Sequence, residues 1–139
     1  MKANATLPRV GQRRALVFAA ALVVFAPAAS LACGACVEDK IAATYDHGVV
    51  ERAAASGKVM VFCEVIGPLD AKHLNAVMRR VRGVKPQSVR VSVQLAAMSF
   101  AVDPTVRSPQ DAVETAQHSM ASGTRLRILR LQSQTTPSL

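Results

Sequence analysis

From Lys58 to Leu131 the hydrophobic period alternates between two residues and about 3.6, and nothing else in the chain narrows its fold as much. Between Lys58 and Ile66, Val59, Val61, Cys63 and Val65 share one face of a strand, which Gly67-Pro68 ends. Asp70 is placed to cap a helix in which Leu74, Val77, Met78 and Val81 fall at i, i+3, i+4 and i+7, with a basic far side and an end at Gly83. From Ser88, Val89, Val91, Val93 and Leu95 alternate with Arg90, Ser92 and Gln94, as a half-buried strand does. After a loose corner at Ala96-Ala97, the alternation resumes at Met98, Phe100 and Val102 and stops at Asp103-Pro104. Ser108-Pro109-Gln110-Asp111 opens a second helix: Ser108 caps, Pro109 suits the first turn and Asp111 supplies a capping-box carboxylate. Val113, Ala116 and Met120 form its apolar stripe and Gly123 closes it. Thr124 to Leu131 is a final β-rich segment, and residues 132–139 form a polar tail expected to be disordered.

Strand, helix, strand, strand, helix, strand is the split β-α-β, or ferredoxin-like, order. An α+β fold follows, with two helices on one face of a four-stranded antiparallel sheet. About 75 residues suffice for a small core of this kind. Ahead of it, Val37, Ile41, Thr44, Tyr45, Val49 and Ala53 lie near the helical spacing, so residues 37–56 predict an extra helix, breakable at Gly48 and stopped by Gly57. The pattern does not say where that helix docks.

The N-terminus obeys different rules. Ala15 to Ala26 is an unbroken apolar run behind Lys2, Arg9, Arg13 and Arg14, followed by Pro27 and the small-residue exit Ser30-Leu31-Ala32. This is the layout of a secretory signal peptide over residues 1–32. The run covers about 18 Å, against roughly 30 Å of bilayer hydrocarbon, so a permanent anchor is disfavoured. Cleavage after Ala32 leaves 107 residues beginning at Cys33, in a periplasmic or secreted product. A lipid-modified Cys33 is disfavoured because Ser30-Leu31-Ala32 departs from the usual Leu-small-small arrangement, and Arg13-Arg14 is only a loose match to a twin-arginine signal.

Removing this leader takes four cations with it and lowers the formal charge from +8 to +4. The remainder is weakly basic, with cations grouped at Lys72, Arg79, Arg80 and Arg82 and at Arg125, Arg127 and Arg130. Beyond the leader only Tyr45, Phe62 and Phe100 are aromatic, so no base-stacking surface accompanies those charges. They read as solvated faces, and nucleic acid is not an expected partner.

Several stretches resemble the heavy-metal-associated (HMA) domain of copper chaperones and metal-pumping P-type ATPases. They are Arg82-Gly83-Val84, Ser88-Val89-Arg90-Val91-Ser92-Val93-Gln94-Leu95-Ala96, Phe100-Ala101-Val102-Asp103-Pro104 and Ser108-Pro109-Gln110-Asp111. The likeness spans roughly Lys58 to Leu131 and consists of scaffold motifs. It implies a ferredoxin-like fold and a soft-metal cargo bound through a Gly-Met-x-Cys-x-x-Cys loop between the first strand and first helix. Here that loop is Gly67-Pro68-Leu69-Asp70-Ala71-Lys72-His73, with Asp70 and His73 at the cysteine positions. A carboxylate with an imidazole suits Zn²⁺ or Cu²⁺ better than Cu⁺, and two ligands are too few for a tight divalent site. An Asp cap followed by a first-turn His is also ordinary helix chemistry.

A thiol pair stands elsewhere, at Cys33-Gly34-Ala35-Cys36, just ahead of the first predicted helix. Free amides and the positive end of a helix dipole favour thiolate there. His47, Glu38, Asp39 and Asp46 are harder donors in the same segment. The pair is open to three readings: a plain disulfide of an oxidising compartment, reversible metal binding, or thiol-disulfide exchange. The strand order around it is not that of thioredoxin. Cys63 reads as a buried inert thiol, Met60, Met78, Met98 and Met120 as core, and His118 has no neighbouring ligand in sequence.

No nucleophile triad, paired-carboxylate motif or phosphate-cradling glycine loop is present, and no enzymatic activity is expected. The expected function is that of an exported metal-binding protein. It would carry Cu⁺ or Zn²⁺ on Cys33 and Cys36, with Asp70 and His73 a weaker second site, and transfer the ion to, or sequester it from, an exported or membrane metal-handling protein. The alternative is a metal-free interaction module whose Cys33 and Cys36 form a structural disulfide.

Overall fold

A computed structural model describes the backbone of residues 32–133 and the side chains of residues 37–133. The expected leader up to Leu31 and the tail beyond Ser133 lie outside the described residues. The elements in chain order are α1 (Ala32–Thr44), α2 (His47–Ala55), β1 (Val59–Ile66), α3 (Ala71–Arg80), β2 (Arg90–Ser92), β3 (Ala97–Val102), α4 (Pro109–His118) and β4 (Arg125–Gln132). The fold is α+β. Its strands lie in the order β2-β3-β1-β4, each antiparallel to its neighbour, an arrangement compatible with the ferredoxin-like plan.

The residues expected to start the helices do so. Asp70 Oδ1 accepts from the backbone N–H groups of Lys72 and His73, each at 3.0 Å, and Ser108 Oγ accepts from Asp111 N at 3.1 Å. Leu74, Val77, Met78 and Val81 are buried against Val61, Cys63 and Val65 of β1, together with Ala112, Val113 and Ala116 of α4. Thus α3 and α4 cover one face of the sheet. Met120 lies beyond the end of α4 and is only partly buried against this core.

The opposite face is also covered. Met60 and Phe62 of β1 and Ala101 of β3 point away from that first core and pack with Ile41 of α1 and Val49, Val50 and Ala53 of α2. The segment ahead of residue 58 is therefore a third layer. Enclosure on both sides explains why all six residues of β3 are buried, where one-faced alternation was expected. The helical segment is broken at Tyr45-Asp46 and not at Gly48, because Asp46 caps α2 by accepting from Val49 N at 3.1 Å.

Polar contacts carry α1 and its exit across every strand. Arg130 of β4 bonds Glu38, and Lys40 bonds Glu64 of β1. Ser99 Oγ of β3 donates to Thr44 O at 2.8 Å, and Arg90 of β2 donates to Asp46 Oδ2 at 3.0 Å. The helix crosses the sheet from the β4 edge toward the β2 edge.

The hairpin differs from its expected form. β2 is only three residues long, and the corner falls at residues 93–96, so Val93 (59% exposed) and Leu95 (39%) leave the core. Ala96 adopts φ +47°, which lets the chain reverse there, and its carbonyl accepts from Val65 N at 2.7 Å. A 3₁₀ turn at Pro86–Ser88 uses up the start of the expected strand, and Ser88 Oγ instead accepts from Ala101 N at 2.8 Å.

Candidate functional site

Cys33 and Cys36 lie inside α1 and not ahead of it, three residues apart along the helix. Their side chains fall outside the described ones. The expected cleavage bond after Ala32 falls within the described part of this helix. From Glu38 onward α1 is pinned to the sheet, by Arg130 at Glu38, by Glu64 at Lys40 and by burial of Ile41. The pair thus belongs to an element anchored by its following turns.

Three of the four harder donors of this segment are engaged in other ways, and Asp39 is exposed. Glu38 meets Arg130, and Asp46 caps α2 and meets Arg90; the Val49 amide and then Arg90 hold the Asp46 carboxyl below its ordinary pKa. His47 Nε2 lies 3.1 Å from Glu51 on the exposed side of α2. None of these contacts gathers the donors together.

Asp70 and His73 sit at the start of α3, beside a small cavity of about 70 Å³ whose other walls include Leu69, Met120 and Thr124. Asp70 spends one carboxylate oxygen on the two amides it caps. Among the described residues no three His, Cys, Asp or Glu side chains are grouped to hold an ion. By themselves Asp70 and His73 therefore form a two-donor set, which fits a tight divalent site poorly. Cys63 is buried in the first core, and burial pushes its thiol up to about 12, so it is neither nucleophile nor ligand. Met60, Met78 and Met98 are core residues, and His118 faces Glu114 loosely at 3.9 Å.

Sequence reading passed over Glu64. It is the one charged residue within the apolar run of β1, and its carboxylate is mostly shielded between α1 and the sheet. Lys40 bonds Oε1. Arg127 Nη2 approaches Oε2 at 2.5 Å outside hydrogen-bonding angles, so this buried oxygen has a charge neighbour and no hydrogen bond. Lys40, by its hydrogen bond, is the main reason the Glu64 pKa lies below its usual value, with Arg127 adding to it. Two of the cations read as solvated, Arg127 and Arg130, are therefore ion-paired on the α1 face, while Lys72, Arg79, Arg80 and Arg82 are not buried. The visible signal was an isolated Glu in a strand apolar on both faces.

Tyr45 stacks on Phe62 with ring centroids 6.2 Å apart, which commits that aromatic pair to packing. Among the described residues no helix is long and apolar enough to cross a membrane. No protein-family model, curated protein or solved structure matches this chain.

Proposed function

We propose that this chain is an exported metal-binding protein that takes a soft ion, Cu⁺ or Zn²⁺, on Cys33 and Cys36 and transfers it to, or sequesters it from, an exported or membrane metal-handling protein. The scaffold is read as ferredoxin-like and of heavy-metal-associated type. The observation that carries this reading is the position of the pair within α1 at i and i+3, a spacing at which helix positions are neighbours. That spacing lets two thiolates reach one ion. Thiolate is the form that binds soft metals. Asp70 and His73 are the weaker second site, for a harder divalent ion.

A second reading has one observation in its favour. At the family's metal loop the chain has no thiol, and Asp70 is already occupied as a helix cap. In that case the scaffold has become a metal-free interaction module with a Cys33-Cys36 disulfide.

Titration of the reduced full chain with Cu⁺ or Zn²⁺, beside Cys33→Ser/Cys36→Ser, separates the readings. Loss of one tight equivalent in the double variant supports metal binding, and identical curves overturn it. A thiol count on unfolded protein isolated without reductant is the companion measurement: three thiols fit the metal reading, and Cys63 alone fits the disulfide. For the second site, Asp70→Ser keeps a capping oxygen while removing the carboxylate. Weaker Zn²⁺ binding in that variant, with unchanged melting, assigns Asp70 a ligand role.

A further inference from the structure

A cleft of about 170 Å³ opens where the end of α2 meets the segment leading into β2. Arg52, Lys58 and Lys85 line it, Gln87 and Ser56 add polar groups, and Val49, Ala53 and Ala101 give it an apolar floor. Three cationic residues thus line a small concave surface with no acid among its walls, the Arg52 guanidinium lying over Gly48 on the side of Asp46.

The nearby carboxylates are already satisfied. Asp103 receives Lys58 Nζ at 2.8 Å, Thr105 Oγ1 at 2.6 Å and Thr105 N at 3.0 Å, and Lys58, first among these, depresses its pKa strongly. Asp46, which also feels Arg52, is held by Arg90 and by the amide it caps. Ser88 Oγ is used between Lys85 O and Ala101 N, and Ser56 Oγ donates to Arg52 O. Among the described residues Arg52 and Lys85 have no ion-pair partner. Lys58, only 11% exposed, is fixed in place by Asp103.

Like charges brought together repel, and a concave, low-dielectric wall concentrates their field on whatever enters. An anion relieves that repulsion by accepting charge-assisted hydrogen bonds from both open cations. The size of the cleft, well below that of drug-sized pockets, restricts the occupant to a small molecule. No aromatic side chain lines it, so it offers no platform for stacked bases. The buried Val49, Ala53 and Ala101 among its walls suit a short hydrocarbon group attached to the anion.

We propose that the Arg52-Lys58-Lys85 cleft is a binding site for a small dianion of the phosphate class. Arg52 and Lys85 are its binding cations, and Lys58, neutralised by Asp103, is a fixed N–H donor at the wall. The site is independent of the cysteine pair and of any metal.

The test is calorimetric titration of the full chain with inorganic phosphate and with phenyl phosphate, at an ionic strength held constant with chloride. Three proteins are compared: wild type, Arg52→Gln/Lys85→Gln, and Arg79→Gln/Arg80→Gln, which removes the same net charge from exposed positions on α3. Saturable binding to wild type and to the α3 variant, weakened at least about tenfold in Arg52→Gln/Lys85→Gln, is the expected result. Tighter binding of the ester identifies the apolar floor as part of the site, and equal binding identifies the free anion as the ligand. Equal weakening in both double variants, or no saturable binding to wild type, overturns the proposal. Circular dichroism establishes that each variant is folded, and Lys85→Gln alone, at an exposed position, repeats the comparison should the double variant unfold.

Discussion

Glu64→Gln should loosen the seam between α1 and the sheet, and its cost can be placed from the surroundings. The Glu64 side chain is 14% exposed, Lys40 21% and Arg127 63%. Removing one partner of a fully buried pair costs roughly 3–5 kcal/mol, whereas an exposed pair contributes roughly 0–1. Arg127 falls in the second class and is free to turn into solvent. Lys40 falls between them, left shielded beside a neutral amide, so the loss should be about 2 kcal/mol after allowing for solvent screening. For a domain of this size that lowers Tm by about 10 °C. Lys40→Met should cost a similar amount, since the shielded carboxylate then keeps only its poorly aligned neighbour Arg127. Lys40→Met/Glu64→Gln removes both shielded charges and should cost clearly less than the two single changes added together. Urea denaturation of the four proteins gives the coupling energy, and amide hydrogen exchange along α1 localises it. Melting of Glu64→Gln with wild type, or simple additivity in the double variant, would refute the claim that this pair fastens α1.

Gly67→Ala should be far more damaging than Gly57→Ala. At Gly67, φ is +93° and an added Cβ would lie 2.1 Å from the Gly123 carbonyl oxygen, so two turns must move apart; at Gly57, φ is +68° with nothing within 4 Å, and only the left-handed penalty of about 1 kcal/mol applies. Equal urea midpoints for the two variants would show that the Gly67–Gly123 approach is absent in solution. Acid should weaken the fold: Asp46, Glu64 and Asp103 all have pKa values below their unfolded ones, so the folded state holds fewer protons. The resulting stability is complete above about pH 5 and is lost as pH falls through the folded values. Urea midpoints between pH 7 and pH 3 should drop, less steeply for Asp103→Asn, and a flat or rising profile contradicts the pairings.

The parts of the fold legible in sequence were those whose signals are local. Asp70 and Ser108 announce their helices by capping chemistry confined to a few residues, and the stripe Leu74-Val77-Met78-Val81 names its buried face by spacing alone. The corner at Ala96 was not legible, because an alanine at positive φ is imposed by the strands on either side and leaves no trace in composition. The docking of α1 and α2 was legible in principle: Met60 and Phe62 are as apolar as Val61 and Cys63, and a strand apolar on both faces requires cover on both. Following one face of that strand hid the other.

That second face bears on how the thiol pair can be understood. Stripping α1 from the sheet would take Ile41 off the face of Met60, Phe62 and Ala101, leaving α2 alone to cover it, and would leave Glu64 and Ser99 without their partners on the helix. The helix bearing Cys33 and Cys36 is therefore part of what the core needs and not a detachable arm. A ligand held by Cys33 and Cys36 would bind the folded state in preference to the unfolded one, and by mass action it would stabilise the whole sheet. Binding by a free arm would leave that stability untouched. A metal-dependent rise in Tm that vanishes in Cys33→Ser/Cys36→Ser, and is blunted when Glu64→Gln loosens the seam, would show that the thiols and the third layer act as one unit; a tight metal complex with no effect on Tm would show that they do not.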